Sequence, residues 1–137
     1  MIIIIPIGGI GKRFKDNGYT LPKALIKVFG KPILFYLIES LNLEHIDFIY
    51  IPYNLEYQKY RLEDLLIKNF PNIKFRFFCL KNNTRGAAET LKISLENLYS
   101  IPDQPIISID TDNFFTCDIV KLWNGENIAK CPFELIF

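Results

Sequence analysis

Gly8, Gly9 and Gly11 stand with Lys12 and Arg13 in the segment GGIGKRF, and Lys23 comes directly after Pro22. Glycines let the backbone turn with positive φ and bring N–H groups close to an anion with no Cβ in the way. Arg13 offers a planar fork of donors and Lys23 a point charge, two complementary ways of holding phosphate oxygens. For either cation alone, the competing reading is ordinary solvated surface charge. A second set lies far along the chain in DTDNFF, where Asp110 and Asp112 are separated by one residue. Two hard oxygen ligands there suit Mg²⁺, which takes one or two carboxylates and completes its shell with phosphate oxygens and water. The competing reading is that they cap the following turn. A third segment, TRGAAET, sets Thr84, Gly86 and Ala87 at a helix start. Free N–H groups there leave room for a ligand, unless Thr84 simply caps the helix and the alanines pack against the sheet.

The elements that must position these groups emerge from hydropathy patterning. Met1–Ile7 is a β-branched run without polar alternation, which predicts a strand buried on both faces of a parallel sheet. Gly18, Pro22, Gly30 and Pro32 interrupt the chain beyond it, so the next clear helix is expected only from about Lys31. A connection of that length in a small domain is usually functional. Helical spacing of Ile33, Leu34, Leu37, Ile38 and Leu41 predicts a helix over Lys31–Leu43. Strand two is expected at Asp47–Tyr53, a helix at Leu55–Asn69, strand three at Ile73–Cys79, a helix at Gly86–Tyr99 and strand four at Pro105–Ile109. The class is α/β: a Rossmann-like three-layer α/β/α fold with a mostly parallel sheet. Right-handed crossovers with strand one central give the core order 3-2-1-4. The crevice between strands one and four then brings the glycine turn beside Asp110 and Asp112.

Two familiar glycine motifs do not fit. A phosphate-binding loop of the GxxxxGK[ST] type would need Ser or Thr where Arg13 stands and glycine where Pro6 stands. A dinucleotide fingerprint beginning at Gly9 would need its third glycine at Phe14, and strand two ends in Tyr53-Asn54 without the expected acid. Hydride chemistry is disfavoured.

The four segments GGIGKRF (Gly8–Phe14), LPKALIKVFGKP (Leu21–Pro32), TRGAAET (Thr84–Thr90) and DTDNFF (Asp110–Phe115) occur in an order that resembles the sugar-phosphate nucleotidyltransferases, the enzymes that make nucleotide-sugars. The resemblance covers nearly the whole chain and corresponds to the family's N-terminal, nucleotide-binding half. It implies transfer of a nucleoside monophosphate from an NTP to a sugar 1-phosphate or similar phosphorylated acceptor, with release of pyrophosphate. By the same resemblance Arg13 and Lys23 are the catalytic cations. Gly8, Gly9, Gly11, Lys12, Thr84, Gly86 and Ala87 bind the nucleotide. Asp112 is the main Mg²⁺ ligand, supported by Asp110. The acceptor phosphate is already ionised at neutral pH, so no general base is required, and catalysis comes from positioning and charge neutralisation. The family usually continues beyond this length, so a truncated nucleotide-diphospho-sugar transferase fold is expected. The alternative is a catalytically inactive nucleotide-binding module or remnant domain.

Composition bounds these readings. A chain of 137 residues, half of them apolar, is expected to be one domain over 1–137 with one core. Sixteen basic against 15 acidic residues leave a net charge of +1, which gives no field for nucleic acid. The expected partners are an NTP and a phosphorylated small molecule. No segment approaches membrane-spanning length, and the apolar opening lacks the basic lead of a secretion signal. Cys79, Cys117 and Cys131 show no paired metal spacing, which predicts free thiols and a cytoplasmic location. The tail from Asn127 is apolar enough to form a last strand beside strand four. Failing that, the open edge of strand four calls for a homo-oligomer or partner chain to cover it.

Overall fold

A computed structural model of the chain describes residues 1–9, 11–98, 104–115 and 117–123. Its sheet runs β5-β4-β1-β6, built from β1 (Ile2–Ile4), β4 (Phe48–Asn54), β5 (Phe75–Leu80) and β6 (Ile106–Ser108), and every pairing is parallel. This is the expected order 3-2-1-4. A separate antiparallel ribbon joins β2 (Lys27–Val28) to β3 (Lys31–Pro32).

Alternation along the strands sorts their side chains onto two faces. Ile3, Ile5, Ile49 and Ile51 share one core with Leu34, Leu37 and Ile38 of helix α2 (Ile33–Ser40) and with Leu62 and Leu66 of α3 (Leu62–Asn69). Ile2, Ile4, Phe48 and Tyr50 face the opposite way, against Leu98 and against Leu91 of α4 (Ala87–Asn97). Helices therefore cover both faces, giving three layers. A short helix α5 (Ile119–Trp123) adds Val120 to the first core. No helix of the described residues is long and apolar enough to cross a membrane.

Three local expectations change. The connection after β1 is not free of helix: it holds a five-residue α1 (Lys12–Asp16) and a 3₁₀ turn at Lys23–Leu25. The glycines and prolines bound these short pieces instead of excluding them. The helix expected over Leu55–Asn69 is split into a 3₁₀ segment, Leu55–Tyr60, and α3, with Arg61 left-handed at φ 50° between them. A straight helix would set Tyr57 and Leu62 about 140° apart at ~100° per residue. The break lets both be buried. Cys79 is a free thiol as expected, whereas Cys117 takes part in a disulfide. Tyr99 and the expected tail strand lie outside the described residues.

Leu37 is fully buried between α2 and the sheet, whereas Leu95 on α4 is about half exposed. Leu37→Ala is expected to cost about 2–5 kcal/mol in urea denaturation, and Leu95→Ala to stay within about 0.5 kcal/mol of wild type. Equal losses would contradict the assigned faces.

Candidate functional site

The crevice opens where the ladder between β1 and β6 ends. Ile2 donates its N–H to Pro105 on the β6 side, while Ile5 and Ile7 donate to Tyr50 and Pro52 of β4, each at 2.9–3.0 Å. Strand N–H groups alternate in direction, so after Ile4 the next one facing β6 would be that of residue 6. Pro6 has none. β4 continues to be paired as far as the Ile7 bridge to Tyr53, while the chain after Ile109 departs from β1. The space so created is lined by Pro6, Gly8, Gly9, Lys23, Asp110 and Asp112.

The glycine turn is shaped by two different demands. A Cβ on Gly8 would lie 2.6 Å from the Thr90 hydroxyl and 2.7 Å from Leu80 Cδ1, so the strand end can approach α4 and β5 this closely only as glycine. Gly11 sits at φ 62° and starts α1. A Cβ on Gly9 or Gly86 would meet nothing within 4 Å, and both glycines line the cleft.

The inner cleft has a volume of about 280 Å³ and includes Gly86, Ala87 and Thr90 at the start of α4. It runs outward into a wider region of about 1120 Å³ lined by Lys12, Arg13, Phe14, Tyr19 and Arg85, sharing Gly9, Gly11, Lys23, Gly86 and Asp112. The inner cleft lies just below, and the wider region just above, the usual size of small-molecule sites, about 300–1,000 Å³. Lys23 Nζ bonds Asp112 Oδ2 at 2.6 Å, joining distant segments of the chain across the crevice. Burial raises the Asp112 pKa, and the Lys23 ammonium more than reverses this, leaving the carboxyl below its ordinary value. Arg13 and Lys12 line the wider region, and their charged groups make no hydrogen bond or ion pair among the described residues. Arg85 spends its backbone N–H and guanidinium on Glu89, at 2.6 and 3.1 Å.

The cleft thus assembles Gly8, Gly9, Gly11, Lys12, Arg13, Lys23, Gly86, Ala87, Asp110 and Asp112 from segments distant in sequence. Thr84 stands apart from it. Its hydroxyl pairs with that of Thr90 at 2.7 Å, behind Gly8, where the pair supports the turn. Sequence reasoning missed Tyr57 and Thr111 in the lining; both are buried, Tyr57 outside every motif and Thr111 inside DTDNFF between the two acids that drew the attention. The donor set fits a Mg²⁺ ion shared with a ligand: Asp110 and Asp112 supply hard oxygens and leave other positions to phosphate and water. Among the described residues no group of three or more His, Cys, Asp or Glu forms an all-protein cage.

A bifunctional protein GlmU of Methanocaldococcus jannaschii is 37% identical over 134 residues, 94% of this chain and 32% of its own length. The D-glycero-α-D-manno-heptose 1-phosphate guanylyltransferase of Aneurinibacillus thermoaerophilus is 24% identical over 135 residues, 98% of this chain and 56% of its own. Among solved structures, HddC from Yersinia pseudotuberculosis complexed with GMP-PN superposes with a TM-score of 0.69 at 26% identity, over 90% of this chain and 53% of that one. The chain is similar in sequence and in fold to sugar-phosphate nucleotidyltransferases. It spans between about a quarter and just over half the length of the curated relatives it matches. No protein-family model matches it. Within this nucleotidyltransferase fold, the glycine turn and the β6 acids face each other across the cleft, as the motif order implied.

The Lys23–Asp112 pair gives a pH signature. Because the folded-state pKa of Asp112 is lowered, its contribution is fully present above the ordinary aspartate value of 3.8 and is lost as pH falls through the lowered value. In urea denaturation the wild type is expected to exceed Asp112→Asn near neutral pH by no more than about 1 kcal/mol, since the pair is partly exposed and screened. The two should converge at strongly acidic pH. A difference that persists unchanged there would mean that the charge of Asp112 is not what the pair contributes.

Proposed function

We propose that the chain binds a Mg-nucleoside triphosphate in this cleft and supports transfer of its nucleoside monophosphate to a sugar 1-phosphate or similar phosphorylated acceptor. The observation that carries the reading is the meeting of the glycine turn, Lys23 and the Asp110–Asp112 pair in one crevice at the carboxyl end of a parallel sheet. The names of its relatives support it: one acts on a heptose 1-phosphate as a guanylyltransferase, and a solved neighbour holds GMP-PN.

In the proposed reaction an acceptor phosphate oxygen forms a bond to the α-phosphorus, and the bond from that phosphorus to the oxygen bridging the β-phosphate breaks. Pyrophosphate leaves with the electron pair, and no proton changes place. The glycine turn and the start of α4 present N–H groups to the nucleotide. Arg13, whose guanidinium is uncommitted among the described residues, reaches the departing phosphates from the wider part of the cleft. Lys23 neutralises charge near the reacting phosphate. Asp112 and Asp110 would hold a Mg²⁺ ion, which would supply positive charge to offset that of the phosphates. Lys23 and Asp112, which neutralise each other in the free chain, would each find an opposite charge in the Mg-nucleotide.

The test is pyrophosphate release from each NTP with a panel of sugar 1-phosphates and Mg²⁺. Turnover with at least one pair is expected, and Arg13→Ala or Lys23→Ala should lower kcat/KM by about 10²-fold. Binding of Mg-NTP without turnover across the panel would instead mark a nucleotide-binding module. The absence of both would overturn the reading.

A further inference from the structure

One short stretch at the end of β4 and beyond it holds the long connection after β1 at four places. Asn54 Nδ2 donates to the Gly8 carbonyl at 3.4 Å, the Glu56 carboxylate takes the Lys15 ammonium at 2.7 Å, and the Tyr60 hydroxyl donates to the Thr20 carbonyl at 3.2 Å. The fourth tie is of a different kind. Tyr57 accepts the Ala24 N–H on its phenolic oxygen at 3.3 Å from inside the core, where it is 2% exposed, and it also lines the inner cleft beside Lys23.

The Ala24 N–H needs such an acceptor. It lies in the first turn of the 3₁₀ segment Lys23–Leu25, whose internal bonds run from Leu25 to Pro22 and from Ile26 to Lys23. Nothing within the turn receives the N–H of Ala24, which is fully buried, and a buried unpaired N–H is costly. Packing alone would call for phenylalanine, as at Phe35 and Phe70 in the same core. Burial pushes the Tyr57 phenol up to about 12, so it stays neutral across the working pH range. The hydroxyl makes one hydrogen bond among the described residues, and that bond fixes the residue next to Lys23.

We propose that Tyr57 is a positioning residue for Lys23: by taking the Ala24 N–H it locks the turn from which the lysine extends into the cleft toward Asp112. This rests on the assignment of Lys23 to the bound phosphates. Tyr57→Phe keeps the ring and removes only the acceptor. Tyr60→Phe, which breaks the more distant tie to Thr20, is the comparison.

Two measurements on the full chain test it. In the first, amine acetylation followed by peptide mass spectrometry reads the reactivity of Lys23 without ligand. Labelling of Lys23 is expected to rise several-fold in Tyr57→Phe and to stay near wild type in Tyr60→Phe. In the second, Mg²⁺-pyrophosphate is titrated into wild type, Tyr57→Phe, Lys23→Ala and the double variant. Tyr57→Phe should weaken binding about three- to tenfold, the range of one hydrogen bond, and should add nothing once Lys23 is gone. Unchanged Lys23 labelling, or a full Tyr57→Phe effect in the Lys23→Ala background, would overturn the proposal. Changed labelling without any pyrophosphate binding by wild type would keep the positioning role and overturn the phosphate assignment.

Discussion

Burial of Ile2, Ile3, Ile4 and Ile5 on both faces of a single short strand is the constraint on which the rest of the molecule depends. A strand with no polar face has to be central, with partners on both edges and helices on both sides. β4 and β6 supply the edges, α2 and α3 one cover and α4 the other. Because the chain visits β4 and β5 on one side of β1 before returning to β6 on the other, the loops after β1 and β6 leave the sheet in diverging directions. The cleft is the geometric result of that centrality.

Pro6 sets the position of the cleft along the strand. It removes the donor that would have continued the ladder toward β6, so the two strands separate just ahead of the glycine turn. The opposing charges Lys23 and Asp112 then meet across the gap, and the close packing of Gly8 against Thr90 and Leu80 keeps the floor of the cleft near the start of α4. Backbone sterics, one missing hydrogen bond and one ion pair together account for a cleft flanked by cations on one side and carboxylates on the other.

Much of this is legible in the sequence because the relevant signals are local and strong. An unbroken β-branched run implies a central strand, and alternating strand and helix patterns then leave few topologies. That is why the order 3-2-1-4, and the approach of Gly8, Gly9 and Gly11 to Asp110 and Asp112, can be read from the residues alone. The break at Arg61 is not legible. The residues 55–69 carry good helical spacing, and only the need to bury Tyr57 and Leu62 together, a tertiary demand, divides them. Thr84 reads as a ligand contact because a hydroxyl near a helix start serves equally as a ligand group or as internal support. In the structure its hydroxyl meets that of Thr90, a contact that spacing alone does not distinguish. Tyr57 escapes notice for a similar reason: an aromatic residue at a strand exit reads as packing until its hydroxyl is seen against the Ala24 N–H.

The central claim is that the crevice between β1 and β6 is a Mg-nucleotide site. It is tested most directly by calorimetric titration of the wild-type chain with each NTP in Mg²⁺ and again in chelator. The account predicts saturable binding of at least one nucleotide that is strongly weakened when Mg²⁺ is removed. Absence of saturable binding to every nucleotide in Mg²⁺ would contradict it.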